Sequence, residues 1–180
     1  LERSVDVKNN NGKFSRGTKV TGIDFFNMNI AMVTTNDSRV RFINIMTGRC
    51  IMKIKGNKNE SFHLRAALSP DFNHVICGSE DGDVYLWSQI ESNIIALSHQ
   101  QSSMQKVLNA TNKKLKDKSN QFEYWAAFDK NTPVSAAIFA PNPVLKQYSK
   151  LQKKVLQQNC HVNMIIICCS TNGLIKIFCN

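Results

Sequence analysis

Three segments of this chain repeat one short pattern, in residues 34–45, 78–90 and 169–180. In each segment a Ser or Thr precedes an Asp or Asn by two positions, and a large apolar residue follows that Asp or Asn by six. Such repetition is typical of a supersecondary unit that stacks on its own copies, because one unit alone cannot bury its hydrophobic face. The residues of the pattern are Thr35, Asp37 and Ile43, then Ser79, Asp81 and Trp87, then Ser170, Asn172 and Phe178.

The distance between the copies predicts units of four strands. Asp81 follows Asp37 by 44 residues, which is within the period of a four-stranded propeller blade. Asn172 follows Asp81 by 91 residues, so two insertions are expected in that interval. The dipeptides Asp81-Gly82 and Asn172-Gly173 predict tight hairpins, because both central residues of such a turn require positive φ angles.

These strands and turns predict an all-β propeller of antiparallel four-stranded blades, of which about three are present. A closed ring needs about four to eight blades, so we expect this chain to be part of a larger ring of the seven-blade type. The strand-like residues 3–8 would be either the outer strand of a preceding blade or the closing strand of the last one. The expected divisions are residues 1–16 for that strand and a connector, 17–56 for one blade, 57–130 for a blade with a basic insertion at 98–121, and 131–180 for a blade with a basic helical insertion at 141–161 and no outer strand.

The pattern resembles the WD-repeat β-propeller, with Asp81 and Trp87 as its signature pair. More narrowly, the phrases GSEDGDVYLW and AIFAPNP look like the C-terminal blades of the endosomal WD-repeat family whose best-known member binds a Rab GTPase. The chain departs from the family in two ways. The Gly-His pair that precedes the first strand of a blade is missing in all three units, and Ile43 and Phe178 replace the Trp.

This resemblance implies a non-enzymatic scaffold for protein–protein interaction in vesicle or endosomal membrane traffic. The implied partners are proteins, a small-GTPase trafficking complex among them. The implied location is the cytoplasm, including the periphery of endosomal or other vesicle membranes. No Rab-contacting residue carries over to this chain, because the Rab-binding segment of that family lies outside the propeller.

The Ser, Thr, Asp and Asn residues of the pattern have a structural role in this interpretation. Ser79 and Asp81 would satisfy backbone groups at the hairpin that would otherwise be buried unpaired, at a cost of about 1–3 kcal/mol. Trp87 would fill the wedge between two blades with a large apolar side chain. A catalytic pairing of Ser79 with Asp81 is the weaker alternative.

The net charge of +10 is concentrated in the two insertions. The first insertion joins the third and fourth strands of its blade, and the second joins the first and second strands of the next blade. Because neighbouring strands alternate in direction, both connections leave from the same face, so their lysines would form one basic face. That face supports an alternative function, the binding of acidic lipid headgroups or, less favoured, RNA. Its lysines are Lys106, Lys113, Lys114, Lys116, Lys118, Lys146, Lys150, Lys153 and Lys154.

The two insertions differ in their predicted structure. The polar run at 98–120 has few large apolar residues and predicts a mobile loop. In the second insertion, Asn142 and Pro143 are favourable first residues of a helix. An apolar stripe follows, which would pack on the third blade, on a partner helix or on a membrane. The residues of the stripe are Val144, Tyr148, Leu151 and Val155.

The remaining composition points away from enzymes and metal centres. The six cysteines lie mostly in predicted strands, as reduced thiols of a cytosolic protein do, and neighbouring Cys168 and Cys169 would face opposite sides of a sheet. Zinc ligation by Cys160, His161, Cys168 and Cys169 matches no standard spacing. We therefore expect no cofactor, no metal and no enzymatic activity.

Overall fold

The computed structural model of the protein describes residues 4–7, 19–104, 122–142, 144, 147 and 164–179. All nine lysines of the predicted basic face lie outside these residues, and so do Pro143, Tyr148, Leu151 and Val155 of the predicted helix. Asn142, Val144 and Gln147 are described and are helical. The described chain forms three antiparallel sheets and a long helix.

The first sheet places four strands side by side in chain order. The Asn44 side chain accepts the N–H groups of Met46 and Thr47 at 2.9 Å each, and Gly48, with φ of 70°, then returns the chain into the fourth strand. The strands are β1 (Val20–Asn27), β2 (Ile30–Thr35), β3 (Arg39–Asn44) and β4 (Arg49–Lys55).

The second sheet repeats this order, and the third has three strands. Gly82 (φ 95°) and Gly173 (φ 86°) lie in the predicted hairpins. The prediction of positive φ at both residues of each dipeptide is wrong, because Asp81 and Asn172 keep negative φ and only the glycine that closes each turn is left-handed. The strands of the second sheet are β5 (Ala67–Leu68), β6 (Val75–Gly78), β7 (Asp83–Trp87) and β8 (Phe122–Ala126), and those of the third are β9 (Val134–Phe139), β10 (Ile165–Ser170) and β11 (Ile175–Cys179). The prediction of an all-β fold of antiparallel blades is confirmed.

The two central strands of the middle sheet, β6 and β7, are buried on both faces. Along β6 and β7, successive side chains point to opposite sides of the sheet. Tyr85 and Trp87 join the core shared with the first sheet, whereas Val84 and Leu86 join the core shared with the third. This two-sided burial explains why these strands are almost continuously apolar in sequence.

The third sheet leaves one face uncovered by the described residues. Positions that correspond by the repeat are Met32, Ile76 and Ile167; Val40, Val84 and Ile175; and Phe42, Leu86 and Ile177. In the first two sheets these side chains are at most 9% exposed. In the third sheet Ile175 is 66% exposed and Ile177 is 64% exposed.

The prediction of a strand at residues 3–8 is not met by the described part of that segment. Residues 4–7 are described and form no strand. Val5 and Val7 nevertheless pack against a small cluster on the outer face of the first sheet, formed by Ala31, Val33 and Ile43. The side chains of Val5 and Val7 hold the segment on the sheet, and the backbone of residues 4–7 forms no strand.

The prediction of a mobile loop from residue 98 is wrong for its first part, because a helix extends into it. This helix, α1 (Ile90–Met104), follows β7 and contacts β4. Ile90 is 0% exposed and Ile94 is 2% exposed, both in the core of the first two sheets, with Leu97 packed against it. The stripe that anchors α1 therefore lies before residue 98, outside the polar run that suggested disorder.

Candidate functional site

The hairpin between β2 and β3 contains a buried ionic cluster, here called the first turn cluster: Thr35, Asp37 and Arg41. The Thr35 hydroxyl donates to Asp37 Oδ1 at 2.5 Å, and Arg41 Nη1 donates to the same oxygen at 3.0 Å. Arg41 Nη2 forms an ion pair with Asp37 Oδ2, and Nη1 also donates to Thr35 Oγ1. Thr35 and Asp37 are 0% exposed and Arg41 is 2% exposed.

Two opposing effects set the pKa of Asp37. Burial favours the neutral acid and raises the pKa, whereas the hydrogen bonds from Arg41 and Thr35 and the positive charge of Arg41 lower it. The lowering effects dominate, so the pKa of Asp37 lies below its ordinary value. The carboxylate is therefore ionised and paired inside the protein.

The corresponding hairpin between β6 and β7 is arranged differently, and we call Ser79, Asp81 and Tyr85 the second turn cluster. The buried Ser79 hydroxyl accepts the N–H of Lys58 at 2.8 Å. Asp81 is partly exposed, and its Oδ1 accepts the N–H of Asp83 at 3.2 Å. Both side chains satisfy backbone groups, as a structural role requires.

Burial and two nearby acidic residues, Asp81 of the second turn cluster and its neighbour Asp83, raise the pKa of the tyrosine of that cluster. Burial raises the pKa of Tyr85 to about 12, and the charges of Asp81 and Asp83 and a hydrogen bond with Asp81 contribute to this shift. The pKa of Asp83 is raised by burial and by the charge of Asp81, with Lys130 opposing. Tyr85 thus stays a neutral phenol beside two carboxylates.

In the third unit the same positions are closer to solvent. The Ser170 hydroxyl donates to Asn172 Oδ1 and accepts the N–H of Leu174 at 3.2 Å. Lys176 corresponds to Arg41 and Tyr85, but its Nζ lies over the ring of Phe128, two residues after the end of β8, 5.1 Å from the ring centroid. This cation–π contact links the third sheet to the segment that follows the second.

The large apolar residue of each pattern faces the preceding part of the chain. Trp87 is 1% exposed in the core of the first two sheets, and its Nε1 donates to the carbonyl of Lys55 at 3.2 Å. Phe178 meets Trp125 of the second sheet edge to face, with ring centroids 5.7 Å apart. Ile43 packs with Val5 and Val7. These residues are wedges between successive units.

A connector, residues 56–62, ties the first two hairpins together. The backbone N–H of Asn59 donates to Ser38 Oγ at 3.0 Å, and Asn59 Nδ2 donates to the carbonyl of Thr35 at 3.3 Å. The backbone N–H of the preceding residue, Lys58, donates to Ser79 Oγ at 2.8 Å. Asn57 Nδ2 donates to the carbonyl of Gly78 at 3.3 Å. Asn57 directly follows Gly56, and Gly56 stands where the WD-repeat family that this chain resembles has His.

The connector is also held by a carboxylate. Glu80 Oε1 accepts the N–H groups of Glu60 and Ser61 at 2.6 Å and of Phe62 at 3.0 Å. Partial burial raises the pKa of Glu80, but these three hydrogen bonds and the charge of Lys58 lower it below its ordinary value. The ionised side chain fixes the turn of the connector over the second hairpin.

The repeat pattern does not include Arg41, Asn57, Asn59 or Glu80. A signal for Arg41 exists: the position four residues after the Asp or Asn of the pattern is Arg, Tyr or Lys between apolar neighbours in all three copies. No comparable signal marks the connector residues, because their partners lie about twenty positions away in the chain.

The chemistry open to these clusters is limited by burial. The first turn cluster has no surface on which a substrate could meet Asp37. Burial raises the pKa values of the Cys77 and Cys168 thiols to about 12, which leaves both protonated and weakly nucleophilic. Within the described residues no group of three or more His, Cys, Asp or Glu side chains could hold a metal ion, and no helix is long and apolar enough to cross a membrane.

Comparison with known proteins identifies repeat sequence in the first half of the chain. Residues 48–88, from β4 to the end of β7, match the family model of the WD domain, G-beta repeat. The chain is 34% identical over 143 residues to WD repeat-containing protein 44 of Xenopus laevis, covering 78% of this chain and 14% of that protein.

Two shorter matches are similar in kind. WD repeat domain-containing protein 83 of Homo sapiens is 37% identical over 60 residues, which cover 33% of this chain and 19% of that protein. Autophagy-related protein 16 of Arabidopsis thaliana is 36% identical over 52 residues, which cover 29% of this chain and 10% of that protein. The chain thus spans less than a fifth of the length of each of these relatives.

Proposed function

We propose that this chain is a non-enzymatic scaffold for protein–protein interaction in vesicle or endosomal membrane traffic. This function presupposes that the chain is a WD40 repeat protein, which the match of residues 48–88 and the WD-repeat relatives support. The burial of the first turn cluster is the observation that supports the non-enzymatic scaffold role. Thr35, Asp37 and Ser79 are buried and engaged with the backbone or with each other, so they build the scaffold and do not face a substrate.

The assignment to membrane traffic is the finer part of the proposal. It is supported by the resemblance of GSEDGDVYLW and AIFAPNP to the endosomal WD-repeat family and by a relative whose name refers to autophagy. We propose protein partners, a small-GTPase trafficking complex among them, and a cytoplasmic location that includes the periphery of vesicle membranes.

Proximity labelling in cells tests this proposal. The chain is fused to a biotin ligase and compared with the ligase alone at equal expression. Enrichment of vesicle-trafficking proteins, confirmed by binding of one purified partner, is the expected result. Enrichment of ribonucleoproteins, or labelling equal to that of the ligase alone, would contradict it.

The lysine-rich insertions favour a second candidate, the binding of an anionic surface. Sedimentation with acidic liposomes and fluorescence anisotropy with a generic RNA are measured over a salt series. Binding through the basic face would fall steeply with salt, because each phosphate contact releases a counterion. Replacing Lys146, Lys150, Lys153 and Lys154 by Gln would remove that binding, whereas a scaffold that acts through protein contacts would show neither effect.

A further inference from the structure

Hydrogen bonds place the turns of the first two sheets at two opposite ends of the strands. The N–H of Ser38 in the β2–β3 turn donates to the carbonyl of Asn59 at 3.2 Å, and the N–H of Glu80 beside the β6–β7 turn donates to the carbonyl of Lys58 at 3.0 Å. Both turns therefore lie against the connector, at an end that we call the connector face. Because neighbouring strands are antiparallel, the β1–β2, β3–β4 and β5–β6 turns lie at the other end, which we call the insertion face.

Large apolar side chains protrude from the turns of the insertion face. The N–H of Ile45 donates to the carbonyl of Asn29 at 2.9 Å, and the Phe72 ring packs edge to face on Phe26 at the end of β1, with ring centroids 5.7 Å apart. These contacts join the turns into one surface, and a contiguous apolar surface marks a site of contact with a protein or a membrane. Its exposed side chains are Met28 in the β1–β2 turn, at 90%, Ile45 and Met46 in the β3–β4 turn, and Phe72 in the β5–β6 turn, at 42%.

Phe72 occupies a backbone position that does not favour a bulky side chain. Its φ is 58°, in the left-handed region that Gly and Asn adopt most readily. The hydrogen bonds of the turn do not involve the ring: the N–H of Phe72 donates to the carbonyl of Ser69 at 2.9 Å, and Asp71 Oδ1 accepts the N–H of Asn73 at 3.1 Å. The turn would therefore form with a smaller residue at this position.

The connector face differs from the insertion face in the composition of its turns. In the first two sheets the turn residues are polar, with Asn, Asp and Ser at 36–38 and Glu, Asp and Gly at 80–82. Phe62 is the exposed large apolar side chain of the connector, at 42%. The exposed apolar turns of these two sheets are thus concentrated on the insertion face.

The insertion face is also where both lysine-rich insertions are attached. Strand β7 begins after the β6–β7 turn, and β9 begins at Val134, whose N–H donates to the carbonyl of Ser79 at 3.0 Å, so both strands start at the connector face and end at the insertion face. The insertions that follow them, 98–121 and 141–161, contain nine lysines and one acidic residue. Asp71 and Glu91 are described acidic residues at this end, and the lysines outnumber them.

We propose that the insertion face docks on an anionic membrane, with the side chains of Met28, Met46 and Phe72 in the interfacial region of the lipid. The charge of the insertions matches anionic headgroups, and apolar side chains partition into the boundary between headgroups and acyl chains. Apolar tips on separate turns suit a fluid surface, because each tip is taken up without a partner of matching shape. This inference rests on the proposed location at vesicle membranes and names the surface that makes the contact.

Sedimentation with vesicles tests the proposal on the 180-residue chain. The vesicles are phosphatidylcholine with about 30% phosphatidylserine, and phosphatidylcholine alone is the reference. Phe72→Asn should lower the partition coefficient about three- to tenfold, because an apolar side chain is lost from the interface. Its melting temperature should stay nearly unchanged, since Asn adopts the left-handed conformation readily and this offsets the lost contact with Phe26. Phe62→Asn is the matched control, equally exposed on the connector face, and should bind like the wild type.

A salt series separates insertion from electrostatic adsorption. The double variant Met28→Ser with Phe72→Asn should weaken binding by a similar factor at every salt concentration, because contact between apolar groups is not screened. The quadruple lysine variant described above should instead bind with a flatter salt dependence. If the double variant binds like the wild type and only the lysine variant loses binding, the chain adsorbs by charge alone and the proposal is wrong.

Quenching by brominated phospholipids reports insertion directly. Phe72→Trp and Phe62→Trp each add one indole, on opposite faces of the molecule. Quenching above that of the wild type is expected for Phe72→Trp and not for Phe62→Trp. Equal quenching of the two variants, or none in either, would overturn the proposal.

The outcome of these experiments is distinguishable from that of proximity labelling. Enrichment of vesicle-trafficking proteins without insertion into vesicles would preserve the scaffold function and remove the membrane contact. Insertion without such enrichment would preserve the membrane contact and remove the proposed scaffold function in membrane traffic.

Discussion

The first and second turn clusters share one sequence pattern but stabilise their hairpins by different means. In the first cluster Asp37 is fully buried and paired with Arg41. In the second, Asp81 is partly exposed beside neutral Tyr85, and Ser79 is tied to the connector. The comparison teaches that the hydroxyl and the acid define the turn, whereas the residue four positions later decides whether the acid is buried in an ion pair or partly exposed.

The largest expected effect is the loss of the ion pair. Asp37→Ala removes the carboxylate that forms the ion pair with the buried Arg41 guanidinium and should lower the free energy of unfolding by about 3–5 kcal/mol. Urea unfolding followed by tryptophan fluorescence measures it. The double variant Asp37→Asn with Arg41→Met should recover most of the loss, because no unpaired charge remains. A loss below about 1 kcal/mol in Asp37→Ala would show that the pair is not buried in solution.

A pH titration separates the two clusters next. The pKa of Asp37 is lower in the folded chain than in the unfolded chain, so its stabilising contribution is present above the ordinary Asp pKa of 3.8 and is lost as pH falls below that value. Glu80 and Asp71 contribute with the same sign. Unfolding free energies between about pH 2 and 5 should therefore fall less steeply with acid in the Asp37→Asn, Arg41→Met variant than in the wild type. Equal slopes in both proteins would contradict the lowered pKa of Asp37.

A smaller effect is expected at the second cluster. Asp81→Ala removes the acceptor for the N–H of Asp83 and should destabilise the chain by about 1 kcal/mol. Relief of the repulsion with Asp83 offsets part of this loss. Thermal melts of Asp81→Ala and Asp37→Ala, measured side by side, rank the two losses of stability. If Asp81→Ala melts like the wild type, this carboxylate does not hold the hairpin.

The smallest effect is expected in the second insertion. Replacing Lys150, Lys153 and Lys154 by Ala should leave the melting temperature nearly unchanged, because the sequence predicts an exposed basic face there and exposed charges contribute little to stability. Differential scanning calorimetry at matched salt measures this. A clear rise or fall would show that the insertion takes part in the folded core.

The hairpins were predictable because their determinants are local. A Gly after an Asp or Asn admits the required φ, and the 44-residue period places the next hairpin without any knowledge of packing. Helix α1 was not predictable in the same way, because its stability comes from Ile90 and Ile94 packing against a sheet formed some forty residues earlier. Asn57 and Asn59 escaped notice because polar residues in a connector look solvated until the two hairpins beneath them are in place.

The two-sided burial of β6 and β7 has a consequence for how such a chain can change over evolutionary time. Insertion of a single residue into β7 would exchange the sides of Leu86 and Trp87, so the indole would enter the space of the third sheet while the wedge against Lys55 emptied. Both interfaces would fail together. Length variation is therefore tolerated only between strands, and the long intervals between β7 and β8 and between β9 and β10 are where this protein has room to acquire new sequence.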